Sequence, residues 1–386
     1  MEVPRDIAFE IFSWLPAKSV CKLNSTCNSA SGFPKETAFK RKQSHNLLGR
    51  DDTCLFIQPE RIIQKYEKIV ELHPLPEYRQ SSGVPKEVLR LLSNSTSVLA
   101  SSNGLLLCQT IKDHVPIEFF IFNPITKCRS SIPTPESLQR NQNVANINIM
   151  LDCSSDDYKV FLFENPMEWS SKNCYTCRVY HEKEGVWKTM DNGFLAGGRN
   201  MNFDMYVFHN KAIQFISDCS HYFAKPSPFY KPYIMSYNLE DGNSTMLRLP
   251  REAIRGCHTM CNMSIFNWGK ESSSKRSICL VKLLKKSIFT VWHLKDYESS
   301  SWQKVLKVRV RALGLQEKDP QVTGFTVMNG DLLVFTTEEK VYSCGLNEER
   351  FMTVEEIGQH NCGFNLRLIS YSDTFRSCGT NVVPWN

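Results

Sequence analysis

Apolar residues change their spacing once along this chain. In residues 3 to 27, "VPRDIAFEIFSWLPAKSVCKLNSTC", Ile7, Ile11 and Leu15 recur every four positions, and Phe9 and Phe12 widen the stripe. That is the period of an amphipathic helix. Pro4 suits a first helical turn, where a missing N–H costs nothing, and Pro16 ends the helix by pushing the residue before it out of the α region. A second stripe follows through Val20, Leu23 and Cys27. Helices this short are marginal in water, so the pair requires a partner surface.

Beyond the Pro/Ser-rich segment "HPLPEYRQSSGVP" the period falls from about four to about two, the spacing of strands. "SSNGLLLC" sets Asn103-Gly104, a preferred type I′ hairpin pair, before an apolar strand, and "VMNGDLLVF" repeats the device at Asn329-Gly330. A second unit also recurs: an aromatic strand, a polar turn and a further strand, as in "CRVYHEKEGVWKTM" and "FTVWHLKDYESSSWQKV". Marker rings Phe122, Tyr180, Tyr237, Trp292 and Tyr342 stand 50 to 58 residues apart. Four strands fit each interval, which is near the period of kelch-like propeller blades. The pattern predicts a small all-α unit followed by an all-β, propeller-like domain of the kelch type. Five or six blades are expected, and residues 50–95 and 360–386 either pair to close the ring or leave it open.

Two stretches resemble known families. "VP", Ile7, Ile11, "LPAKSV", Leu23 and Cys27 are similar to an F-box over roughly the first 45 residues. In that family the helices pack on a Skp-type adaptor, which leads to a cullin and a ubiquitin ligase. The resemblance implies that Pro4, Ile7, Ile11, Leu15, Pro16, Val20, Leu23 and Cys27 hold or contact the adaptor. The chain departs from the family pattern at "TCNSA", where Thr26 stands for a valine and Ala30 for a tryptophan, so a weakened grip is expected. Phe39 is expected to supply the apolar anchor of a third helix. Further on, "NGLLLC", "NPIT", "DYKV" and the Tyr180–Trp187 hairpin resemble, in that order, the F-box-associated domain of plant F-box proteins. The implied division is an F-box over 1–45, a linker with the first strands over 46–94, and the propeller-like domain over 95–386.

Charge and composition narrow the partners. The formal charge is +6, of which +4 lies in the first 50 residues. This suits docking on an acidic protein surface and is too weak to argue for nucleic acid. No run approaches a membrane span and no secretory signal opens the chain, so the nucleus or cytoplasm is expected. The fifteen scattered cysteines then read as reduced, mostly buried thiols.

Candidate chemistry is sparse. Cys174-x-x-Cys177 and Cys257-x-x-x-Cys261, with His258, have zinc-like spacing, but the pairs lie some eighty residues apart in strand and loop, so no metal and no cofactor are expected. No phosphate loop, zinc-protease helix, serine elbow or calcium loop occurs, which argues against an enzyme. "GKESSSKRS" at 269–277 reads as an exposed insertion and "KRK" at 40–42 as a helix surface. "HYFAKPSPFYKPY" at 221–233 offers Tyr222, Phe223, Phe229, Tyr230 and Tyr233 as rings for target recognition. The expected function is the substrate-recognition subunit of a Skp–cullin–F-box ubiquitin ligase, with no bond chemistry of its own. The alternative is a non-ligase scaffold or lectin-like binding protein carrying a degenerate F-box.

Overall fold

The computed structural model describes residues 3–26, 32–60, 69–78, 84–94, 96–112, 115–135, 138, 148–165, 174–219, 227, 229–255, 261–269, 276–347 and 350–385. Three short helices come first: α1 (Arg5–Phe12), α2 (Ala17–Asn24) and α3 (Thr37–Asn46), with a 3-10 turn at Phe33–Lys35. Strands follow for the rest of the chain, interrupted chiefly by α4 (Lys86–Asn94). Among the described residues no helix is long and apolar enough to cross a membrane.

The strands form a six-bladed β-propeller. The first two, β1 (Cys54–Pro59) and β2 (Glu71–Pro74), wait for the end of the chain. Blade 1 holds β3 (Thr96–Ser102), β4 (Leu105–Lys112), β5 (Val115–Asn123) and β6 (Cys128–Ile132). Blade 2 holds β7 (Asn148–Asp152), β8 (Lys159–Glu164), β9 (Cys174–His181) and β10 (Val186–Thr189), with β11 (Phe194–Leu195) on β9. Blade 3 holds β12 (Met201–His209), β13 (Ala212–Ser217), β14 (Tyr233–Asn238) and β15 (Ser244–Arg248). Blade 4 holds β16 (Cys261–Trp268), β17 (Ser277–Leu284), β18 (Ile288–Asp296) and β19 (Ser301–Arg309). Blade 5 holds β20 (Gly324–Met328), β21 (Leu332–Thr336), β22 (Lys340–Gly345) and β23 (Val354–Gln359). Blade 6 joins the two ends of the chain: β24 (Leu366–Tyr371) pairs with β1 from Cys54↔Tyr371 to Pro59↔Leu366, and β1 pairs with β2. Strand β25 (Val383–Pro384) then adds to the outer edge of blade 1 against β6.

The inner strands β3, β7, β12, β16, β20 and β24 each touch the next around a closed circle. A separate apolar cluster fills each of the six gaps between neighbouring blades. Strands covered on both faces therefore read as continuous apolar runs, as in β1, where Leu55, Phe56 and Ile57 are fully buried. All five marker rings fall on the third strand of blades 1 to 5 and are buried, so the 50-to-58-residue period is the blade period. The turn residues expected at the hairpins hold too: Asn103 and Gly104 have φ of 43° and 79°, and Asn329 and Gly330 have 55° and 75°. At Gly104 the glycine is required twice over, since a Cβ there would lie 2.1 Å from Thr374 Oγ1.

The helical unit is mounted on the propeller through the C-terminal segment. Phe33 and Phe39 stack at 4.9 Å with Phe9 edge-on to both, and Phe39 is the buried anchor expected of the third helix. Phe375 enters this cluster from beyond the last blade, 6.4 Å from Phe39, and Ile125 of blade 1 packs on it. Gln43, fully buried, donates to Leu15 O at 3.0 Å and accepts from the Phe375 N–H at 3.0 Å. Ala17 N donates to Asp373 O at 3.0 Å, and Asn103 Nδ2 to Ser44 O at 3.0 Å. Arg376, itself buried, donates to the carbonyls of Cys153, Ser155 and Asp156 in the first turn of blade 2. Arg41 and Lys42 of the basic triplet lie on the surface of α3 and pair with Asp156 and Glu10.

Candidate functional site

The apolar stripe expected of the first helix is divided between two surfaces. Helix α1 stops at Phe12, earlier than Pro16 requires, so Leu15 lies in the following turn. Ala8, Phe9, Phe12 and Leu15 face the helical core, whereas Ile7 and Ile11 point outward and are 49% and 53% exposed. Pro4 is exposed at the helix entrance, and Leu15, Pro16 and Leu23 are half-buried. Val20 is fully buried beside Ala17, Phe33 and Phe39. This corrects its expected contact with a partner: Val20 is a core residue, because the second stripe faces the aromatic cluster. Cys27 and Ala30 lie outside the described residues, while Thr26 is exposed at the end of α2 and donates to Lys22 O at 3.3 Å.

Sequence reasoning missed Trp14. It is 49% exposed and extends the outward row of Ile7 and Ile11, with the Arg50 guanidinium 4.8 Å from its ring centroid. The signal was present, since Trp14 follows Ile11 by three and Ile7 by seven, but Leu15 satisfied the same period. Four outward apolar residues, Val3, Ile7, Ile11 and Trp14, thus stand on the smallest unit of the chain. Grouped exposed apolar residues of this kind make this face the candidate site on the helical unit.

The aromatic loop is less available than expected. Tyr222 and Phe223 lie outside the described residues. Tyr233 is buried, and its hydroxyl donates to Ala196 O at 2.8 Å, so it belongs to the core of blade 3 and is corrected as a recognition ring. Phe229 and Tyr230 are half-buried, and their carbonyls accept from Arg199 at 2.6 Å each. Arg199 is wholly buried and also bonds Asp218, which folds this part of the loop down against its own blade.

The propeller opens on the side where the inner strands end. Residues after β3, β7, β12, β16, β20 and β24 surround a funnel whose mouth measures about 630 Å³ and leads into a channel of about 320 Å³. The chain leaving α3 passes over this mouth: Asp52 and Asn329 bond each other through backbone and side-chain amide, at 2.8 and 3.1 Å. Arg50, Lys211 and Arg276 line the mouth together with Asp52, Asp152 and the small polar residues Ser101, Ser102, Asn103, Ser154, Asn210 and Asn267. Burial, and then the charge of Arg276, holds His209 below its usual pKa. At the far end of the channel Arg367, itself buried, faces Asp204 across 3.4 Å.

Neither cysteine pair assembles a metal site among the described residues. Cys174 and Cys177 lie three apart on β9, so they point to opposite faces, one exposed and one buried. Cys257 and His258 lie outside the described residues, and no group of three metal-binding side chains comes together among the described ones.

A profile of the family described as "F-box protein At3g26010-like, beta-propeller" matches residues 75–374. No curated protein matches the chain. Among solved structures, the fucose-specific lectin from Aleuria aurantia is similar at 8% identity over 69% of this chain and 78% of that one, with a TM-score of 0.39. Extracellular domains 1–2 of Drosophila Semaphorin 1a are similar at 11% identity over 66% and 65%, with a TM-score of 0.33. An acylaminoacyl peptidase is similar at 13% identity over 81% of this chain and 45% of that one, with a TM-score of 0.40.

Proposed function

Since the chain belongs to the family of F-box protein At3g26010-like β-propellers, we propose that it is the target-binding subunit of a Skp–cullin–F-box ubiquitin ligase, acting in the nucleus or cytoplasm. Residues 3–46 serve as the F-box and grip a Skp-type adaptor, and the propeller presents a target protein. The observation that carries this reading is the outward row of Ile7, Ile11 and Trp14. These side chains crown a helical unit whose buried apolar residues are already used in its own core, which Phe375 and Ile125 join to the propeller. The chain makes and breaks no bond itself. Ubiquitin transfer by other subunits follows from holding the target near them.

The test is capture of a purified Skp-type adaptor by the full chain, titrated calorimetrically against the Ile11→Asp variant. Ile11 is half exposed, so the substitution spares the fold. It removes the burial of an isoleucine on docking, roughly 1.5–3 kcal/mol, and places a carboxylate in an apolar contact. Affinity is expected to fall by two decades or more. Equal capture by wild type and Ile11→Asp refutes the assignment of this face. No capture by the wild type refutes the ligase reading and leaves a propeller scaffold whose helical unit has lost its partner.

A further inference from the structure

The mouth of the funnel carries polar groups that no bond to a described residue accounts for, and the geometry points to a binding slot there for a carboxylate-bearing turn of a target protein. This rests on the reading of the chain as a target-binding subunit and names the chemistry of what it binds.

Arg50 is the first of these groups. It lines both the mouth and the channel, and its guanidinium makes no hydrogen bond or ion pair with any described residue. It sits over the Trp14 ring, 4.8 Å from the ring centroid. A guanidinium held over a ring and bonded to no described residue keeps its N–H fork available, and that fork meets a carboxylate through two parallel bonds. Asn103 is the second. Its Nδ2 is committed to Ser44 O, while the Oδ1 of this mouth-lining residue is buried without a hydrogen-bond partner among the described residues. A buried acceptor of that kind is costly until a donor reaches it, and a peptide N–H is such a donor.

The surroundings fit the same occupant. Arg276 and Lys211 join Arg50 at the mouth, and Lys211 is paired with Glu240 at 2.9 Å on the rim. Of the two carboxylates lining the mouth, Asp152 turns both oxygens onto its own turn, accepting from Ser154 N at 2.9 Å and Ser154 Oγ at 3.0 Å. A mouth of about 630 Å³ lies within the usual range for ligand sites, roughly 300–1,000 Å³. Leu47, Leu48, Phe208 and Leu239 supply an apolar wall for residues flanking the acidic one. A donor fork and a lone acceptor in one polar mouth match a side-chain carboxylate and a backbone N–H of the same turn.

The test uses the full chain and three fluorescein-labelled dodecapeptides, Glu/Gly, Gln/Gly and Lys/Gly, read by anisotropy at low and physiological salt. The Glu/Gly peptide should bind about tenfold more tightly than Gln/Gly, the size expected from a charge-assisted hydrogen bond, and should weaken with salt. Arg50→Gln should abolish that preference and Arg276→Gln should reduce it, with unfolding midpoints unchanged. Lys307→Gln, on the outer strand of blade 4, should leave it intact. Equal binding of Glu/Gly and Gln/Gly, preference for Lys/Gly, or a preference that survives both arginine substitutions overturns the slot. Displacement of the peptide by an equal concentration of inorganic phosphate would make this a small-anion pocket and overturns the peptide assignment. Adaptor capture on the same preparations reports separately on the ligase reading: capture without peptide binding refutes the slot alone.

Discussion

Phe375 lies some 350 residues beyond the helices it supports, and truncating it to alanine should release them while leaving the propeller folded. The side chain is 3% exposed and shares its cluster with five other buried residues: Ala8, Ala17, Val20, Phe33 and Phe39. Two of those are alanines, so Phe375 is one of three large rings wholly inside the unit. Removing a buried phenylalanine costs about 3–5 kcal/mol when the site cannot collapse. The site here is held open on both sides, by Gln43 bonding the Phe375 backbone and by Arg376 anchored on three carbonyls of blade 2.

Helices of eight, eight and ten residues have little stability to set against that loss. A loss of about 3 kcal/mol multiplies the open population of the unit by about two decades. Amide hydrogen exchange is the assay. Protection across α1–α3 should fall by about that factor in Phe375→Ala, protection in β12–β19 should stay at the wild-type level, and adaptor capture should weaken in parallel. Trp385→Ala is the matched control. Trp385 lies ten residues on, packs against Phe120 and Phe122 at the outer edge of blade 1, and takes no part in the helical cluster. Unchanged protection in Phe375→Ala, or equal losses in both variants, would refute the mounting argument.

Two further outcomes follow from burial. His360 is buried with Nε2 donating to Thr337 O at 3.1 Å and Nδ1 accepting from Cys362 N at 3.3 Å, so the neutral ring is the one that fits. Burial holds its pKa below the usual histidine value. The unfolded chain therefore takes up the proton first, and this contribution to stability is complete above about pH 6.5 and lost as pH falls through the folded value. The unfolding midpoint should drop as pH is lowered from 7 to 5, and His360→Gln should shallow that slope; an identical slope in the variant refutes the assignment. Among the cysteines whose side chains are described, burial pushes the Cys54 and Cys177 thiols up to about 12 and Cys153 and Cys344 up to about 11, whereas Cys21 and Cys174 are exposed. Brief alkylation of the native protein, mapped by mass spectrometry, should label Cys21 and Cys174 first, and equal labelling of Cys54 would contradict that order.

What could be read from the sequence follows from how locally each feature is encoded. Blades 1 to 5 each bring their own third strand, so one buried ring recurs at each and the period is visible. Blade 6 has no such unit in sequence: its inner strand comes from residues 366–371 and its other two from residues 54–74, and only the absence of a partner for each end hinted at the closure. The helical stripe was visible as apolar, but period alone does not say which side of a helix is already covered. That is why Ile11 and Val20 read alike, although one faces solvent and the other is sealed under Phe33 and Phe39. Tyr233 was misread for the same reason, since a proline-flanked aromatic run looks alike whether its rings point out or are pulled down by a buried arginine elsewhere in the chain.

The groups that matter most for binding were the least legible. Arg50 is one charged residue in a short connection, and nothing near it in sequence distinguishes it from Arg41 or Lys42. Its meaning comes from three placements that only the closed ring creates together: Trp14 beneath it, the Asn103 turn beside it, and the Asp52–Asn329 bonds that hold its segment across the mouth. The same contacts give the two functions a common part. Trp14 belongs to the face that would grip the adaptor and Arg50 to the mouth that would take the target, so this cation–ring pair spans both. Trp14→Ala should accordingly weaken adaptor capture and also loosen the acidic-peptide preference, by freeing the guanidinium to sample other directions. Titration of both ligands against this one variant decides the point. Loss of adaptor capture with an intact peptide preference would show that the two surfaces, although joined through one ring, work independently.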